Sequence, residues 1–169
     1  MYDFQFSDAP LTAWVLFHQT CSATYKAEER KLATLGLTPE KLDVLWACAV
    51  CRSPLTPAEL SRMLFRESQS VAGLLARMER EGLVRRTPKR KGRPFTEVKI
   101  TARGEELLQP GLEEAGALIA RAMSCLSAKE LEQLQRLVRK LRQKALEELQ
   151  MELRPPPGYA SGEAVSGER

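Results

Sequence analysis

The chain has 169 residues, 43% of them hydrophobic, which suits one globular domain with a substantial core. Its 26 basic residues outnumber 22 acidic ones, for a net charge of +4. Residues 1–10 are polar and acidic, unlike a secretory signal, and no apolar run approaches membrane-spanning length, so a cytoplasmic protein with no membrane contact is expected.

Residues 11–33 read as a helix, with Leu11, Trp14, His18, Cys21, Tyr25 and Leu32 near one stripe. Thr38-Pro39-Glu40 starts a second helix, whose apolar set is Leu42, Leu45, Trp46, Ala49 and Val50. Trp14, Phe17, His18, Tyr25 and Trp46 suit an aromatic effector pocket between these helices, and suit core packing or dimer contacts equally well. Cys48 and Cys51 form a C-x-x-C pair at the end of the second helix. A structural zinc site needs about four ligands, and the chain has one His and no second C-x-x-C. No βαβ pattern supports a thioredoxin-like site either. The four cysteines, without an export signal, read as reduced thiols, with Cys48 and Cys51 buried as small apolar groups. No metal or cofactor is expected.

Thr56-Pro57-Ala58-Glu59 is another helix start, with Thr56 as N-cap and Glu59 placed for a capping box. Phe65-Arg66-Glu67 makes a short connection to a helix that begins near Ser68. There Val71, Leu74, Leu75 and Met78 fall on one apolar face. Gln69, Ser70, Ala72, Gly73, Ala76, Arg77 and Arg80 lie largely on the remainder, and Gly82 sits where a left-handed residue ends a helix. Two helices joined by so few residues are the grammar of a helix-turn-helix. A glycine at Gly73 costs about 1 kcal/mol relative to alanine. Either a close backbone approach to a surface compensates that cost, or the domain simply tolerates an idle glycine.

A strand over residues 83–87 and a second over 96–100 flank the loop 88–94. In the second strand Thr96, Val98 and Ile100 are expected on the buried side, with Glu97 and Lys99 outward. Between Arg85 and Arg103 eight basic residues meet one acid, Glu97, so the rest of the chain is net negative. Positive charge concentrated on one hairpin points to a polyanion partner, because clustered Lys and Arg release counterions from phosphates. Residues 101–123 form a further helix, which Pro110-Gly111 is expected to kink or break. Ser127-Ala128-Lys129-Glu130 is a second capping box, and Leu131, Leu134, Val138, Leu141, Ala145 and Leu149 then recur at three- and four-residue steps. Residues 154–169 read as a disordered tail.

This order of elements resembles the multiple-antibiotic-resistance regulator (MarR) family of winged-helix repressors. The resemblance is carried by Leu37-Thr38-Pro39, by the run Leu74 to Arg86, and by Val98 to Gly104, and it spans about residues 10–150. It implies a mainly α fold with a small β-hairpin wing: a winged helix-turn-helix over residues 37–103, with helical dimerisation regions at 11–34 and 104–153. It also implies a homodimer on a pseudo-palindromic double-stranded DNA operator, often with a small-molecule or oxidant effector. The DNA-contact candidates are Arg66, Ser68, Gln69, Ser70, Gly73 and Arg77, with Lys89, Arg90, Lys91 and Arg93 from the wing. The effector candidates are Trp14, His18 and Trp46, and Cys21 stands where some members keep a peroxide-sensing cysteine. One departure is the wing, where the family's usual Asp two residues before an Arg has no counterpart in 88–94. No paired carboxylates, Gly-rich phosphate loop or nucleophile–base pair has recognisable spacing, so no enzyme is expected. The alternative function is a winged-helix adaptor that uses its basic hairpin on an acidic protein.

Overall fold

The computed structural model describes residues 6–51, 53–87, 96–154 and 158. Helix α1 (Ala9–Leu32) starts at Asp8, whose carboxylate accepts from the Leu11 N–H at 2.7 Å. A 3-10 turn (Ala33–Leu35) and Gly36, at φ +69°, lead to α2 (Pro39–Val50), capped by the Thr38 hydroxyl accepting from the Lys41 N–H. Helix α3 (Pro57–Met63) begins in the same way, Thr56 accepting from the Glu59 N–H at 3.2 Å. Helix α4 (Ser68–Arg80) ends near Gly82, whose φ of +73° is the left-handed conformation that glycine adopts without strain.

Strands β1 (Val84–Thr87) and β2 (Glu97–Ile100) pair antiparallel, Val84 opposite Ile100 and Thr87 opposite Glu97. Leu55 adds a bridge to Val98, whose N–H donates to the Leu55 carbonyl at 2.8 Å. This bridge lies on the far side of β2 from β1. Contrary to expectation, Glu97 is buried beside Val98, and the carboxylate lies 3.2 Å from the Lys99 ammonium. Strict alternation assumes a strand with one wet face; here β2 is covered from α2 as well as by the Leu55 bridge.

Helix α5 (Ala102–Met123) starts at Thr101, which accepts from the Gly104 N–H and donates to the Gly82 carbonyl. A side chain at Gly104 would place its Cβ 2.3 Å from the Leu83 carbonyl oxygen, so the helix can lie this close to β1 only as glycine. Helix α5 runs through Pro110 without the break that was one of the two expected outcomes. Proline removes one backbone donor, yet Gly111 lets the helix press onto Leu42 and Leu37, and that packing holds the segment helical. Helix α6 (Ala128–Glu148) begins with a complete capping box, Ser127 and Glu130 bonding reciprocally.

The core gathers Leu42, Val44 and Leu45 from α2, Leu60 from α3, Val71, Leu74, Leu75 and Met78 from α4, and Leu83, Val84 and Val98 from the hairpin, with Leu32 and Leu37 closing one end. Each such side chain contributes about 1.5–3 kcal/mol by leaving water. By contrast, of α1 only Leu32 is buried and of α6 only Leu146. Leu11, Trp14, Phe17, Leu134, Val138 and Leu141 all stand exposed. Leu146 is not one of the residues that the three- and four-residue steps selected. The end of α6 docks through a different face and leaves its longer stripe unused. Among the described residues, no helix is long and apolar enough to cross a membrane.

Candidate nucleic-acid interface

Helix α4 has two unlike faces. Val71, Leu74, Leu75 and Met78 are buried, while Ser68, Gln69, Ser70, Ala72, Arg77 and Arg80 are exposed. Gly73 is half-buried on the outer side, and a Cβ added there would meet only the Arg77 guanidinium, at 3.7 Å. Glu67 caps α4 without a side-chain hydrogen bond, so the first-turn N–H groups point outward uncapped. Such an end attracts anions through both its free donors and the helix dipole.

The turn into α4 is tightly made. Ser61 Oγ donates to the Arg66 carbonyl at 2.5 Å, and the Arg66 N–H donates to the Ser61 carbonyl at 3.0 Å. Phe65 occupies the left-handed region at φ +50°. The Arg66 guanidinium bonds Glu40 Oε1 on α2 at 2.5 Å, and the same oxygen accepts from the Tyr25 hydroxyl of α1 at 2.6 Å. Burial works to raise the Glu40 pKa, but the Tyr25 and Thr38 hydrogen bonds and the Arg66 charge outweigh it and hold the carboxyl below its ordinary value. The hydrogen bond to Glu40, then burial, pushes Tyr25 up to about 12. Arg66, a candidate DNA contact from sequence, is thus tied to α1 and α2 in the free protein.

Not all of the basic run faces outward freely. Arg86 closes a fork on Glu79 of α4, at 2.8 Å and 2.6 Å, and its N–H bonds the other carboxylate oxygen at 2.9 Å. Those hydrogen bonds hold Glu79 below its ordinary pKa. Lys99 pairs with Glu97. Arg85 and Arg103 are exposed on the hairpin side. Lys89, Arg90, Lys91 and Arg93 lie outside the described residues, as does the predicted tail apart from Arg154 and Gly158.

The structure brings Trp14 and His18 together, with ring centroids 6.2 Å apart, and sets Phe17 6.4 Å from Trp14. All three are exposed on α1, whereas Trp46 is half-buried on α2. Cys21 is exposed on α1. Cys48 and Cys51 are half-buried free thiols against the core, and burial pushes Cys48 up to about 12, with the neighbouring Cys51 adding to the shift. A thiol so reluctant to ionise is a poor nucleophile. Among the described residues, no group of three or more His, Cys, Asp or Glu is arranged to hold a metal ion. The Tyr25–Glu40–Arg66 cluster and the Glu79–Arg86 fork were not anticipated from sequence. For the fork, the chain reversal at Gly82 was the available signal; for the cluster, only tertiary packing joins residues so far apart.

Residues 35–93 match the profile of the MarR family. None of the curated proteins matches the sequence. The ligand-free organohalide-sensing transcriptional regulator RdhR superposes with a TM-score of 0.79 at 22% identity, over 98% of this chain and 96% of that one. The S. aureus MepR–DNA complex gives a TM-score of 0.73 at 21% identity, over 83% and 98% of the two chains. A mutant MarR from E. coli complexed with operator DNA gives 0.68 at 26% identity, over 79% and 94%. Residues 35–93 therefore carry the sequence pattern of the MarR family, and the chain around them has the winged-helix fold of solved structures from that family.

Proposed function

We propose that the chain is a cytoplasmic, homodimeric transcriptional repressor that reads a pseudo-palindromic operator and is released by an effector. The observation that carries this reading is the outer face of α4. It is polar, uncapped at its N-terminal end, backed by an apolar face, and followed at once by a basic hairpin. A helix so presented fits the major groove, with Gln69, Ser70 and Arg77 at base edges and Ser68 at phosphate. The wing residues Lys89, Arg90, Lys91 and Arg93 would flank it at the adjacent minor grooves. Similarity to two proteins solved on DNA supports a nucleic-acid partner, and similarity to an organohalide-sensing regulator supports an effector.

The test begins with selection of bound duplexes from a random pool, followed by titration of the winner over a range of salt. Gln69→Ala and Ser70→Ala should change the preferred sequence more than the overall affinity. Lys89→Ala or Lys91→Ala should weaken binding to every duplex and flatten the salt slope by about one per lost phosphate contact. A pool that yields no preferred sequence, with weak binding throughout, would favour the adaptor reading instead.

A further inference from the structure

A half-open cleft of about 570 Å³ lies between α3, the turn that follows it, and the C-terminal end of α6. Met63 and Phe65 form one wall, Leu146 and Leu153 the other. Phe65 is 59% and Leu153 63% exposed, so two large apolar side chains line the same opening in contact with water. Phe65 holds that position on a left-handed backbone, which disfavours a residue with a side chain.

The rim is cationic. Arg62 and Arg142 line the cleft, and among the described residues neither has a carboxylate partner. Arg154 is also present but is already paired with Glu152 at 3.0 Å, and Glu59 is the remaining acid of the lining. Apolar walls beside unpaired guanidinium groups complement a molecule with an apolar body and an anionic head. The body would cover Phe65 and Leu153, and the head would take charge-assisted hydrogen bonds from arginine, whose planar fork matches a carboxylate. The volume falls within the range of about 300–1,000 Å³ usual for small-molecule sites.

We propose that this cleft binds an amphipathic organic anion, a carboxylate on an aliphatic or aromatic body, through Arg62 and Arg142. It is separate from the exposed aromatic group of Trp14 and His18 on α1. Because one wall is the turn that feeds α4, an occupant would bear on the orientation of the recognition helix. That consequence rests on the DNA-binding reading; the binding itself does not, and it is measured without DNA.

The experiment is calorimetric titration of the full-length protein with octanoate, and with octan-1-ol as the uncharged counterpart. Octanoate should bind saturably at one site per chain, and octan-1-ol should bind at least about tenfold more weakly. Arg62→Gln and Arg142→Gln should each weaken octanoate about fivefold or more. Leu153→Asp, which sets a carboxylate at the opening, should abolish binding. All three positions are exposed, so their melting temperatures should match that of the wild type and separate a lost site from a lost fold. Equal binding of octanoate and octan-1-ol would overturn the proposal. So would unchanged octanoate affinity in the arginine variants, which would put the ligand on the free helix faces. Absence of any saturable heat would overturn it too, leaving the cleft to a second copy of the chain or to the chain's own residues 155–169.

Discussion

At Gly73 the helix interior and the proposed interface make opposite demands. The free protein has room for a methyl group, since only Arg77 stands nearby, at 3.7 Å. Gly73→Ala should therefore raise stability by up to about 1 kcal/mol through lower backbone entropy in the unfolded chain. If the backbone presses into a groove, the same methyl should weaken operator binding. A thermal melt and an operator titration on the one variant decide it, and unchanged affinity would remove Gly73 from the contact surface. The Glu79–Arg86 fork makes a separate prediction about acid. Because Arg86 lowers the folded-state pKa of Glu79, the fork's stabilisation is present above the ordinary glutamate value of about 4.3 and is lost as pH falls through the lowered one. The pair is about one-third exposed, so its contribution should stay below about 1 kcal/mol. Urea midpoints of the wild type and Glu79→Gln should differ at pH 7 and converge as pH falls below the lowered Glu79 value; a difference that persists in acid would mean the fork contributes nothing to the titration. The fork itself was not read from the sequence, although the reversal at Gly82 turns the chain back and brings Arg86 within reach of Glu79.

Helix boundaries were the most legible elements, and the reason is local. Thr38, Thr56, Thr101 and Ser127 each cap through an oxygen three residues before its donor, a relation written in the sequence itself. Gly82 ended α4 for an equally local reason. The expectations that failed depended on neighbours. Pro110 did not interrupt α5 because Leu37 and Leu42 meet the helix at Gly111. Glu97 was buried because α2 packs on β2 and Leu55, forty-three positions before Val98 in the chain, joins the strand from the other side. The same reasoning makes Gly104 a sharp test. Gly104→Ala would force a Cβ to 2.3 Å from the Leu83 carbonyl, with Ile100 and Leu45 also closer than ordinary contact allows. The start of α5 would have to lift, at a cost of about 1–3 kcal/mol. A denaturant titration that finds Gly104→Ala as stable as the wild type would show that this close approach is not needed.

Over the whole molecule, α1, α5 and α6 carry apolar surface that the single chain leaves in water. Trp14, Leu16, Ile119, Met123, Leu137 and Leu141 are each exposed by 40% or more. Scattered singly they would mean little; carried on three helices, they support the proposal that the chain associates with a second copy through these faces. Light scattering should give a particle of about 38 kDa, twice the 19.0 kDa chain. A stable monomer at micromolar concentration would defeat the dimer. For α1 and α6 the sequence displayed an apolar stripe but not its use, since an amphipathic helix reads the same whether its partner lies within the chain or in another.

The close approach of Gly104 to Leu83 couples the tilt of α5 to the turn that closes α4. The 22 residues of α5 span about 33 Å, and its near end is seated directly behind that turn. A swing of about 5° at that seat moves the far end by about 3 Å, close to the 3.4 Å separating successive base pairs. In a dimer joined at the far ends, the gap between the two α4 helices would follow the angle at which the arms meet. An operator that matches at one angle would then be out of step by a base pair at another.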